Sequence, residues 1–192
     1  MGLFDKLFGG KGEEDKKPSK PKDFIASTTP MDEEQFWRII QRTKDQSLDD
    51  FEQQQEVLSQ ELGKLTPEEI IKFDNRFRSF RGEANTWKLW GAIYIIHGGC
   101  GDDSFGDFRE WVIGQGQDFY YKTIKDPETL IDVEVGEEWE GLGYVAPTVF
   151  GELTGAEMPR PYEENFEPTG KQWQEDGDDL KNLFPKLYAK YN

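Results

Sequence analysis

His97-Gly98-Gly99-Cys100-Gly101-Asp102-Asp103 is the stretch in which residue types with chemical reach stand together. Cys100 lies three residues beyond His97 across a glycine turn, a spacing that lets an imidazole base touch a thiol nucleophile. Gly99 and Gly101 would then offer backbone N–H groups to an oxyanion. His-x2-Cys is also half of a zinc site. The chain has one histidine and one cysteine, so the other half is missing, and the adjacent Asp102 and Asp103 do not easily converge on the same ion. No metal, no cofactor and no catalytic residue is therefore assigned. Each residue also has an ordinary role. Gly-Gly closes helices, cysteine is commonly a small buried apolar group, and an acid beside Ser104 caps the next helix. The enzyme or ligand-binding reading keeps a candidate binding loop of His97, Gly98, Gly99, Cys100, Asp102 and Asp103. Its mark would be a concave pocket beside Cys100 with a shifted titrating group.

Trp87, Trp90 and Trp111, with Tyr120 and Tyr121 near them in sequence, form a candidate aromatic pocket. At helical spacing such rings more often fill a core. Gly114-Gln115-Gly116 lacks the preceding strand that dinucleotide binding needs. Glu33-Glu34 and Glu68-Glu69 match helix N-termini, where the dipole favours acids.

The elements that must position these residues are helices. Thr29 as N-cap and Pro30 in the first turn predict a helix with Phe36, Ile39, Ile40 and Thr43 on its inner stripe. Leu48, Phe51, Gln55, Leu58 and Leu62 repeat at three and four residues up to a stop at Gly63. Thr66-Pro67-Glu68-Glu69 is a capping box, followed by Ile70, Phe73, Phe77 and Phe80 and a stop at Gly82. Trp87 to Ile96 is apolar almost all round, which places it in the middle of a domain. Ser104 is a candidate cap for Phe105, Phe108, Trp111 and Val112. Short helices are expected over 118–124, from Pro127 to Leu130, and from Pro147 to Leu153. Residues 157–179 are rich in proline, glycine and acids, and predict extended chain. Leu180 to Tyr191 is helical in spacing but must break at Pro185. The fold class is all-α: a single compact multi-helix domain with a central apolar helix.

Residues 1–30 stand apart as a flexible tail, and 31–192 form the helical domain. Leu3, Phe4, Leu7 and Phe8 give the tail an amphipathic tip, the only place for weak membrane contact, and one too short for a stable free helix. Six lysines against five acids leave the tail at +1, within a chain of −16. Acidity peaks from Asp132 to the end, where 14 acids meet five bases. This balance argues against nucleic acid and anionic membranes, and favours a basic protein partner. A single cysteine and the absence of an apolar signal core predict a cytoplasmic protein.

One combination of motifs is more specific than its parts. It runs through Met31-Asp32-Glu33-Glu34-Gln35-Phe36-Trp37-Arg38-Ile39-Ile40, Leu65-Thr66-Pro67-Glu68-Glu69-Ile70 and Trp87-Lys88-Leu89-Trp90-Gly91-Ala92. It continues through Ile96-His97-Gly98-Gly99-Cys100 and Phe108-Arg109-Glu110-Trp111-Val112-Ile113-Gly114-Gln115-Gly116. In these the chain resembles the bacterial family known as domain of unknown function 4240, over about 31–135, with an acidic part 136–192 beyond. The resemblance implies a compact cytoplasmic domain and carries no activity with it. The expectation is a non-enzymatic acidic interaction protein, of an immunity or DNA-mimic type. The alternative is a small enzyme or ligand-binding module at the 97–103 loop.

Overall fold

The structure, a computed structural model, describes residues 27–136, 140–175 and 178–192. The expected tip at Leu3, Phe4, Leu7 and Phe8, and the tail up to residue 26, lie outside the described residues. Among those described, helices account for all named elements: α1 Glu33–Ser47, α2 Phe51–Leu62, α3 Pro67–Glu83, α4 Trp87–His97, α5 Asp102–Gly114, α6 Gln117–Lys125, a 3-10 helix Pro127–Asp132, α7 Leu142–Thr154, α8 Asp179–Leu183 and α9 Pro185–Tyr191. The architecture is all-α.

Several helices begin where their side chains dictate. The capping box on α3 is complete: Thr66 Oγ1 accepts from Glu69 N, and the Glu69 carboxylate accepts from Thr66 N at 2.8 Å. For α1 the cap is Asp32 rather than Thr29, because Asp32 Oδ1 reaches Gln35 N at 3.0 Å and Pro30 stays outside the helix. For α5 the N-cap is Gly101, not Ser104, and Asp102 and Asp103 occupy the first turn without a capping hydrogen bond. Pro185 breaks the C-terminal pattern into α8 and α9, as its missing N–H requires.

Pro147 behaves differently from expectation. It does not start a helix but stands inside α7. Proline cannot donate to the carbonyl four residues back, so the Gly143 carbonyl is released from the helix ladder. Arg160 Nη2 takes it, at 3.1 Å.

Helix α3 runs through the core. It buries Ile70, Phe73, Phe77 and Phe80, and packs against α1, α5 and α7. Phe36 and Trp37 of α1 meet Phe80, whose ring lies 5.2 Å from that of the buried Tyr120. The apolar α4 is enclosed by the 3-10 helix, α8 and α9, which bring Leu130, Leu180, Phe184 and Leu187 into the same core. The chain from 155 to 175 has no helix and runs back past α3 and α4. There Thr169 N donates to Asn85 O, Thr169 O accepts from Trp87 N, and Trp173 Nε1 donates to Trp87 O at 2.8 Å.

The inner face of α2 is turned from the expected one. Leu48 is not part of the helix; it sits in the left-handed region at φ 52° and is 85% exposed. Gln54 is buried instead of Gln55, and its Nε2 donates to Thr43 Oγ1 at 3.1 Å and Gly114 O at 2.8 Å.

Candidate functional site

Helices α3, α5 and α7 and the returning chain around Arg160 enclose a cleft of about 800 Å³. α3 supplies Asp74, Phe77, Arg78 and Arg81, all within two turns and so on neighbouring faces. α5 supplies Asp102, Asp103, Asp107, Arg109 and Glu110. The start of α7 supplies Gly143 and Tyr144, and the returning chain Arg160, Glu164 and Phe166.

The floor is an ion-pair network. Glu164, whose side chain is 1% exposed, accepts from Arg81 with both oxygens, at 2.7 Å from Nε and 2.5 Å from Nη2. Arg78 Nε stands 3.5 Å and Arg109 Nη1 3.8 Å from the same carboxylate. Arg81 Nη1 donates to Glu110 Oε1, and Glu110 Oε2 accepts from Gly143 N at 2.8 Å. A Cβ at position 143 would overlap the Glu110 carboxylate as it stands, so a larger residue there would push that carboxylate from its place. Arg109 donates to Arg81 O and lies over the Phe105 ring, 4.9 Å from its centroid. Paired, hydrogen-bonded arginines of this kind are how charge becomes tolerable away from water.

Asp74 is held less completely. Arg160 Nη2 approaches Oδ1 at 3.1 Å, long for a charge-assisted bond. Oδ2 is buried and has no hydrogen-bond partner, as is true of Arg78 Nη1. Burial pushes the Asp74 carboxyl above its ordinary value, against the pull of Arg160 and Arg78. Burial raises Glu110 too, against Arg81 and the Gly143 N–H. Both acids keep their protons to higher pH in the folded chain than in the unfolded one. Their contribution to stability is therefore present at low pH and is lost as pH rises from the ordinary carboxylate range through the raised values. Asp74→Asn is expected to flatten the decline in stability as pH rises above the ordinary carboxylate range of about 4, read by urea unfolding. A decline as steep as in the unaltered protein would remove Asp74 from that account.

The rim carries a different charge. Asp102, Asp103 and Glu140 are exposed, Asp107 is half-buried, and among the described residues none of the four has an ion-pair partner within contact distance. Burial raises the Asp107 carboxyl, and the charges of Glu140 and Asp103 raise it further. Tyr144 and Phe166, 62% and 73% exposed, lie on the same rim.

Of the binding-loop residues foreseen in the sequence, Asp102 and Asp103 belong to this cleft, while His97, Gly98, Gly99 and Cys100 do not line it. Gly98 is the left-handed cap of α4. His97 lines a separate cavity of about 480 Å³ against residues 131–135, Lys190 and Tyr191, to which Cys100 does not contribute. Burial pushes the Cys100 thiol up to about 11, which disfavours a thiolate nucleophile. Trp90 Nε1 donates to the Cys100 carbonyl at 2.8 Å. Trp87 and Trp90 stack, with centroids 5.1 Å apart and planes 4° apart, and Phe105 continues the stack. Trp111 is elsewhere, against Phe108 and Phe119. The three tryptophans thus line no common pocket among those described. No group of three or more His, Cys, Asp or Glu among the described residues is disposed to hold a metal ion. No helix among them is long and apolar enough to cross a membrane.

The residues that sequence reasoning missed are Asp74, Arg78, Arg81, Arg109, Glu110, Arg160 and Glu164. They come from separate segments, and although Arg109 and Glu110 lie within a family motif, no spacing among the seven marks a shared site. Pro147 within an apolar helical run was the one available signal, because it implies a freed carbonyl at Gly143.

Comparison with known proteins adds one match. The family model described as "Protein of unknown function (DUF4240)" matches residues 31–152, more than half of the chain. No curated protein matches the chain, and no solved structure does.

Proposed function

The chain belongs to the DUF4240 family, and on that premise we propose that it is an acidic interaction protein that docks a basic segment of a partner protein on the rim of the cleft. The observation that carries this is the crowding of Asp102, Asp103, Asp107 and Glu140 on one rim with no ion pair within contact distance among the described residues; burial first, and then the charges of Glu140 and Asp103, raise the Asp107 carboxyl against the pull of Arg81 and Arg109. A cation seated among them relieves the repulsion between these charges. Exposed Tyr144 and Phe166 would flank a lysine or arginine stem and face its charge with their rings. The net charge of −16 would steer such a partner from a distance.

The enzyme reading has weaker support. It needs a nucleophile or an acid–base pair free to act. The Cys100 thiol is raised and lies outside the cleft lining, and Glu110 and Glu164 are spent on arginines.

The test uses a capped octapeptide of alternating lysine and glycine, titrated by calorimetry. Binding is expected to weaken steeply with salt. Joint replacement Asp102→Asn, Asp103→Asn and Glu140→Gln is expected to weaken it about tenfold or more, from three charge contacts of about 0.5–1 kcal/mol each. The melting temperature should barely move, since these side chains are exposed. Equal binding by the triple variant would refute the rim as the docking face.

A further inference from the structure

We infer that Asp74 and the Gly143 carbonyl form a seat for an arginine side chain of the partner, and that Arg160 fills this seat only in part until the partner displaces it. The inference rests on the reading of the rim as a docking face and adds to it the residue that the partner inserts.

The seat consists of acceptors. Asp74, 2% exposed, offers Oδ1 and an Oδ2 that has no partner. Gly143 O is released from α7 by Pro147 and faces the same guanidinium. A guanidinium presents several N–H donors in one plane, and two carboxylate oxygens with a nearby carbonyl match that fork. Arg160 does not use the match fully. Its Nη2 serves both Asp74 Oδ1 and Gly143 O, each at 3.1 Å, while Oδ2 is left over. Its side chain is 40% exposed, unlike Arg78 and Arg109 at 13% and 11%. Arg160 is therefore the arginine of the cleft best placed to leave.

The exchange keeps the charge of the floor unchanged, because one guanidinium replaces another. Arg78 and Arg81 stay on Glu164. The incoming group gains the unused Oδ2, and the released Arg160 lies beside the acidic rim. A lysine ammonium cannot span both oxygens and the carbonyl in the same way.

The experiment compares the capped arginine–glycine octapeptide with its lysine counterpart, on the full chain. The arginine peptide is expected to bind about tenfold tighter, as a buried bidentate site distinguishes the two cations. Arg160→Gln should widen this preference, since the competitor is gone, whereas loss of a positive charge alone would strengthen both peptides equally. Asp74→Asn in the Arg160→Gln background should abolish the preference. Should the Asp74→Asn chain fail to fold, the Arg160 side-chain N–H resonance of the unaltered protein serves instead: it must shift with the arginine peptide and stay in place with the lysine one. Equal affinities for the two peptides, or a preference that Arg160→Gln leaves unchanged, overturn the arginine seat. If the rim variants still weaken both peptides in that case, the docking face stands without it. If rim variants weaken neither peptide, the docking face itself falls.

Discussion

Glu164→Ala is expected to destabilise the fold by about 3–5 kcal/mol, because removing one partner leaves the other charges buried and uncompensated. Glu164 is the common ion-pair partner of Arg78, Arg81 and Arg109, at 1% exposure. Without it, three guanidiniums share Glu110 and repel one another. In a chain of this size the melting temperature should fall by on the order of 10 °C. Urea unfolding gives the measurement, and a loss below about 1 kcal/mol would show that the arginines find water as readily as they find Glu164. Exposed Glu163, one residue earlier, is the internal control; its alanine variant should stay within about 0.5 kcal/mol.

A chain ending at residue 152, where the family match ends, is expected not to fold cooperatively. Met158, Leu180, Phe184 and Leu187 lie beyond that point, and all four are buried. Burial of each side chain contributes about 1.5–3 kcal/mol, so their joint loss is comparable to the about 5–15 kcal/mol that stabilises a whole domain. Loss of Glu164 and of the Trp173 contacts adds to this. α4 would suffer most. A Cβ at Gly91 would stand 2.7 Å from Leu180, so α8 rests directly on its backbone. The shortened chain should bind a hydrophobic dye and lose its sharp thermal transition. A cooperative transition within a few degrees of that of the full chain would show that the matched region is self-sufficient.

The helices were largely legible because their signals are local. Thr66, Pro67 and Glu69 state the start of α3 within four residues, and Pro185 states a break. Legibility failed where polar residues are buried. A periodic pattern assigns Gln54 outward, yet it faces inward because Thr43 and Gly114, the latter 60 residues away, satisfy its amide. It failed likewise at Leu48, which occupies a left-handed turn that usually selects glycine or asparagine. The cleft was illegible for the same physical reason on a larger scale. Arginines and acids scattered over 74–164 read as solvated surface, and only the packing of α3, α5, α7 and the returning chain converts them into a network. Asp102 and Asp103 stand out in the sequence as companions of Cys100, whereas the structure places them in the lining of the cleft together with Asp107 and Arg109.

The return of the chain past α3 and α4 has a consequence in time. Arg81–Glu164, Asp74–Arg160, Asn85–Thr169 and Trp87–Trp173 are closed across 83, 86, 84 and 86 residues. Loops of this length are closed late, after the neighbouring helices have paid their own smaller entropy and offered a surface to land on. During synthesis α1 to α5 can pair as they emerge, but the cleft cannot exist until the chain has passed residue 164. The exposed arginines of α3 and α5 thus wait beside one another through most of translation. The molecule acquires the cleft, and with it the proposed docking face, in one of the last steps of becoming folded.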